Sequence, residues 1–153
     1  LRFNIEEVPV VGAKAAGVKA INLKDGDQVA AAFKSTTQSM YILTQRGSLK
    51  RMSQDDIPVT SRAKRGLQVL RELKNKPHRV FKAGPVFTDQ GDFDLFTSQE
   101  EVGEQDQILA ITSTTGQVTE IDLTQLSISE RTSNGSFVND TISDQEVFSA
   151  TIK

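Results

Sequence analysis

The chain has no cysteine, no tryptophan, one tyrosine and one histidine. Without thiols it can form neither a disulfide framework nor a thiolate metal site, which fits a reducing compartment such as the cytoplasm. His78 has no second histidine to share a metal with, so it is expected to be a surface turn residue and no metal site is assigned. Long apolar runs are missing too: Val29 to Phe33 is the longest, against the roughly 20 residues of a membrane-spanning helix. No signal-peptide pattern opens the chain. No phosphate loop, nucleophile elbow or paired-carboxylate motif is present, and Tyr41 begins an apolar strand, where it reads as packing and not as a nucleophile. The acidic stretch Asp89 to Asp94 lacks the spacing and closing glutamate of a calcium loop and reads as a solvated hairpin turn. What is there is ordinary for a folded soluble protein: 153 residues, 37% hydrophobic and 25% charged.

The net charge of −2 conceals a strong separation. Residues 1–45 carry five Lys/Arg and four Asp/Glu, residues 46–82 carry eleven and three, and residues 83–152 carry one and thirteen. Such a division predicts a polyanion-facing middle followed by a part that repels polyanions.

The chain also repeats itself, which decides the fold class. An offset of 49 places Arg2 on Arg51, Val8-Pro9-Val10 on Ile57-Pro58-Val59 and Gly17 on Gly66. An offset of 69 places Gly47 on Gly116, Leu49 on Val118, Met52 on Ile121, Arg62 on Arg131 and Gly66 on Gly135. Each unit closes with Val-x-x-Ala, at Val29, Val80 and Val147. The units run at approximately 1–38, 39–107 and 108–153. The chain opens at Leu1-Arg2-Phe3, inside a unit, and so reads as a fragment with a truncated first repeat.

Within a unit the signals are β. Met40–Thr44 and Ser48–Met52 flank Gln45-Arg46-Gly47, a hairpin with glycine available for a positive φ. Pro9 and Pro58 cannot donate to a ladder and belong to loops or edges. Val18–Leu23 and Leu67–Leu73 are expected as third strands, with fourth strands beginning near Val29 and Val80. An extra hairpin around Phe87 and Phe93 and an acidic loop, Gln99–Gln107, interrupt the period. The prediction is an all-β, propeller-like arrangement of about three four-stranded blades.

Tyr41-Ile42-Leu43-Thr44-Gln45-Arg46-Gly47-Ser48-Leu49-Lys50-Arg51, Ser61-Arg62-Ala63-Lys64-Arg65-Gly66-Leu67 and the hairpin Ile108–Ile121 resemble the carboxyl-terminal repeats of the A subunits of bacterial type IIA topoisomerases. The resemblance implies one β-pinwheel domain over 1–153, a disc whose blades exchange strands and whose rim binds and bends DNA. The A subunits of gyrases carry a Q-R-R-G-G-K-G box; Ser61–Leu67 lacks its paired glycines, and the third unit has decayed. Both features favour the A subunit of topoisomerase IV, with that of gyrase as the alternative. The resemblance further implies a non-catalytic part of an ATP-dependent type II topoisomerase that decatenates and relaxes chromosomes. ATP and magnesium would be used elsewhere in the parent enzyme, and the partners would be double-stranded DNA and the topoisomerase B subunit. The location would be cytoplasmic and nucleoid-associated, with no membrane. A protein-interaction propeller is the competing reading.

Candidate DNA contacts are Arg46, Lys50, Arg51, Arg62, Lys64 and Arg65, with Arg71, Lys74, Lys76 and Arg79 beyond them and Lys14 and Lys19 in the first unit. A stripe of such residues displaces counterions from a duplex backbone, and phosphate contact with bending is expected, not base readout. In the third unit Lys50 becomes Thr119, Arg51 becomes Glu120, Lys64 becomes Ser133 and Arg65 becomes Asn134, so DNA is expected to leave the rim before that unit. Arg62, matched by Arg131, is a candidate for a structural role.

Overall fold

The computed structural model describes residues 1–88, 107–138 and 146–153. The extra hairpin, the calcium-like turn and most of the acidic loop therefore lie outside the described residues.

The hairpin forms where the sequence places it. Strands β1 (Ser39–Thr44) and β2 (Ser48–Ser53) pair antiparallel, joined by a turn with Gly47 at φ 79°. Strand β3 (Val80–Val86) lies on the other side of β1. The third unit repeats this arrangement as β4 (Ile108–Ser113), β5 (Val118–Asp122) and β7 (Val147–Ile152), with β4 in the middle. Even the irregularities recur: the β1–β3 register shifts at Leu43/Thr44 and the β4–β7 register at Thr112/Ser113.

The third strand departs from expectation. Val18–Leu23 and Leu67–Leu73 are not strands, and no strand begins at Val29, which is 61% exposed. The corresponding segment of the third unit is a two-residue strand, β6 (Ser136–Phe137), and it joins the sheet of the second unit beside β2. A blade is thus completed by the unit that follows it. A post-glycine segment therefore needs the β2-type strand of the preceding unit as its template, and local β propensity alone does not create the ladder.

Burial explains the strand compositions. β1 is buried at every residue because both of its faces are covered, hence the unbroken apolar run Met40–Leu43. On one face Tyr41, Leu43, Leu49 and Val86 pack on Leu109, Ile111, Leu123 and Val147 of the third unit. On the other Met40, Ile42 and Met52 meet Leu70. Each fully buried side chain of this kind contributes about 1.5–3 kcal/mol.

Tyr41 is 2% exposed and lies opposite Gly84 in the β1–β3 register. A Cβ added at Gly84 would sit 2.9 Å from Tyr41 Cε1. The third unit exchanges the two sizes: Ala110 pairs with Thr151. Gly84→Ala is therefore expected to destabilise the fold by about 1–3 kcal/mol through overpacking, read from denaturation midpoints. Combining it with Tyr41→Ala should cost less than the sum of the two single changes; strict additivity would show that the ring does not fill the glycine's space.

Single-turn 3-10 helices at Ile5–Glu7, Gln54–Asp56 and Leu123–Gln125 keep the offsets of the sequence repeat. So do the parallel bridges Arg2–Val59 and Arg51–Ile128, which tie each unit to the loop of the next. Among the described residues no helix is long and apolar enough to cross a membrane.

Candidate nucleic-acid interface

Basic residues that look alike in sequence serve different purposes in the structure, and the seams between units sort them. Lys50 leaves β2 and turns inward, with only 2% of its surface exposed. Its ammonium donates to the carbonyls of Val69 (2.6 Å), Arg131 (2.6 Å) and Ser133 (2.8 Å), with that of Glu130 at 3.4 Å. Loss of water pulls its pKa down to about 8; the Arg131 charge adds to the drop and Asp56 opposes it. At neutral pH it is still chiefly an ammonium, and the carbonyls replace the water it has lost.

Arg51 also faces the fold. Its Nε donates to Ser39 Oγ at 2.9 Å and its guanidinium to the carbonyl of Thr124 at 2.8 Å, fastening the second unit to the third. The three hydrogens of Lys50 are taken by carbonyls, and Arg51 gives its Nε and one guanidinium nitrogen to protein oxygens, so two side chains expected at a duplex are turned toward a seam instead.

Arg62 donates to the carbonyls of Lys19 and Glu7, and Arg131 donates to the carbonyl of Gln68, the position equivalent to Lys19. A matched arginine at both seams thus braces the backbone of the preceding unit.

The seam between units one and two gathers a second set on its outside. The amide of Ala63 donates to the carbonyl of Ala20 (2.8 Å) and that of Asn22 to the carbonyl of Lys64 (2.9 Å). This pairing brings Lys19 and Lys64 to the same seam, with Arg65 following. All three are exposed; Lys19 donates to Asn22 Oδ1, and Lys64 and Arg65 form no ion pair among the described residues. Lys14 stands exposed on the Gly12–Ala15 turn.

The loop after the second post-glycine segment carries the third set. Arg71, Lys74, Lys76 and Arg79 are exposed, and Arg79 is ion-paired with Glu72 at 3.2 Å. Arg46, on the β1–β2 turn, reaches this loop: it donates to the carbonyl of Lys76, contacts His78 Nε2 at 3.1 Å and lies 5.6 Å from the centre of the Phe137 ring.

His78 is buried, not a surface residue as its sequence context suggests. A guanidinium can only donate, so Nε2 accepts and Nδ1 carries the proton, which it gives to Thr44 Oγ1 at 3.2 Å. The sequence also gives no warning of Asn134, whose Oδ1 accepts from the amide of Arg71 at 2.8 Å.

In the third unit the seam positions of Lys64 and Arg65 are Ser133 and Asn134, and Glu120 is ion-paired with Lys153. The structure therefore offers a two-part basic surface, Lys19/Lys64/Arg65 and Arg71/Lys74/Lys76, over the first two units. Flexible exposed cations of this kind can neutralise phosphates; among the described residues no base-reading element accompanies them.

A family model described as the DNA gyrase C-terminal domain, beta-propeller, matches residues 1–36 and 38–86. The chain is 62% identical over 152 residues to the A subunit of DNA topoisomerase 4 from Streptococcus pyogenes serotype M3, covering 98% of the chain and 19% of that protein. Identity to the A subunit of DNA topoisomerase 4 from Streptococcus pneumoniae serotype 4 is also 62%, over 150 residues, covering 98% of the chain and 18% of that protein. Among solved structures, the C-terminal domain of DNA topoisomerase IV superposes with a TM-score of 0.75 at 32% identity, over 98% of this chain and 42% of that one. The chain thus spans about a fifth of the curated relatives it matches.

Proposed function

The chain belongs to the DNA gyrase C-terminal domain family of β-propellers, and from that premise we propose that it is a non-catalytic duplex-binding and duplex-bending domain within the A subunit of topoisomerase IV. In the parent enzyme it positions a DNA segment for ATP-dependent strand passage in decatenation and relaxation. The ATP and metal chemistry resides in other parts of the parent, which also engage the B subunit. The location is cytoplasmic, at the nucleoid.

The observation that carries the reading is the sorting of cations at the seams. Lys50, Arg51 and Arg62 are taken up by carbonyls, while Lys19, Lys64 and Arg65, beside them in sequence or by pairing, are left outside. The second set stands exposed and together at one seam, where it can meet phosphates. The duplex runs along units one and two and leaves before unit three, where the same positions are Ser133 and Asn134.

Duplex binding measured across a salt series is the test. About four phosphate contacts should give log K falling against log salt with a slope of about −3.6. A slope near zero, or no binding at low salt, would favour a protein-interaction propeller instead.

A further inference from the structure

The two seams are built from equivalent parts yet close differently. At the first, backbone meets backbone: Ala63 N to Ala20 O and Asn22 N to Lys64 O. By the repeat offsets the carbonyls of Ala20 and Lys64 correspond to those of Val69 and Ser133 at the second seam. There both carbonyls accept from Lys50 Nζ, at 2.6 and 2.8 Å. The amide of Arg71, counterpart of Asn22, goes to Asn134 Oδ1 at 2.8 Å. The residue matching Lys50 at the first seam is Leu1, whose side chain has no ammonium to interpose. An open groove lined by Arg71, Leu73, Glu130, Ser133 and Asn134 lies where the second seam is held apart.

Resting on the duplex-binding reading, we propose that Lys50 is a positioning residue for DNA: it touches no phosphate, but by capturing the carbonyls of Val69 and Ser133 it keeps the second seam bridged instead of zipped. Arg71, whose amide is thereby handed to Asn134, opens the exposed basic run Arg71, Lys74 and Lys76. The state of the seam therefore sets where that run stands relative to Lys19, Lys64 and Arg65. Three ammonium hydrogens match three close carbonyls, a requirement that no uncharged side chain of similar length meets.

The experiment compares the full chain with Lys50→Met, Lys50→Ala and Asn134→Ala in duplex binding across a salt series, with amide exchange followed at Arg71. Lys50→Met is expected to bind about fivefold or more weakly with an unchanged salt slope, because no phosphate contact is lost; a direct contact would lower the slope by about 0.9. Affinity of Lys50→Ala should recover in ethylammonium but not in tetramethylammonium at equal ionic strength, since only the former carries N–H donors and fits among the carbonyls. Asn134→Ala, which keeps Lys50, should weaken binding with the same unchanged slope. It serves as the test if the Lys50 variants do not fold. Unchanged affinity in Asn134→Ala and in any Lys50 variant that folds overturns the proposal, as does a slope reduced by about 0.9 in Lys50→Met. If the unaltered chain does not bind duplex, the functional reading fails instead. Faster exchange at the Arg71 amide in Lys50→Met would then still report the seam by itself.

Discussion

Gly135→Ala is expected to cost about 2–5 kcal/mol, a large part of the roughly 5–15 kcal/mol available to a domain of this kind. Two causes add. Gly135 has φ 74°, where a side chain costs about 1–2 kcal/mol. An alanine Cβ would also lie 2.4 Å from Leu49 O, a backbone atom fixed in the middle of the sheet. Such overpacking costs about a further 1–3 kcal/mol, because the obstacle is not the end of a side chain that can swing away. Gly116 supplies the control, for it has φ 82° and nothing within 4 Å of the added atom. Gly116→Ala should show the conformational cost alone, about 1–2 kcal/mol. Urea midpoints for the two variants at equal slope separate the terms. Equal losses would mean that the backbone at Leu49 yields to the added atom and that overpacking costs nothing there.

The second large effect is on binding. Lys64→Ala combined with Arg65→Ala should weaken duplex binding at least tenfold near 0.1 M salt and reduce the salt slope by about 1.8, two phosphates' worth. The melting transition should hardly move, since exposed side chains of this kind are usually worth within about 0.5 kcal/mol. Thr115→Ala with Gln117→Ala, exposed positions of the third unit, should leave affinity unchanged. Equal losses from both pairs would remove the idea that the duplex departs before unit three. Ser133 and Asn134 are poor controls, because Ser133 Oγ accepts from the Gly135 amide and Asn134 Oδ1 from that of Arg71. Charge reversal at Lys50 would be uninformative for a related reason. A carboxylate set among the carbonyls of Val69, Glu130, Arg131 and Ser133 would open the seam, and lost binding would then report lost structure.

Much of the fold was legible in the residues. Met40–Thr44, Gln45-Arg46-Gly47 and Ser48–Met52 state a hairpin through periodicity and one turn glycine, both local properties. The repeat offsets foretold equivalences that recur as short helices, bridges and bulges. Leu67–Leu73 misled because a run with β propensity forms a ladder only where a partner edge is in register; its counterpart Ser136–Phe137 finds one and it does not. His78 misled similarly: its sequence neighbours are turn-like, and what buries it is Thr44 and Phe137, far away along the chain.

The candidate site was legible as a set and not as individuals. Clustering placed the positive charge in residues 46–82, and the pairing of Arg62 with Arg131 hinted at structure over binding. Lys50 and Lys64 could not be told apart, because a lysine is the same letter whether its ammonium meets water or carbonyls. By itself the sequence determined the repeating β architecture and the charge of each unit, since periodicity, turn chemistry and charge are carried residue by residue. Only the tertiary structure decided which cations face outward. That choice depends on where unpaired backbone carbonyls converge at a seam, and a buried carbonyl will take the nearest donor before any phosphate can.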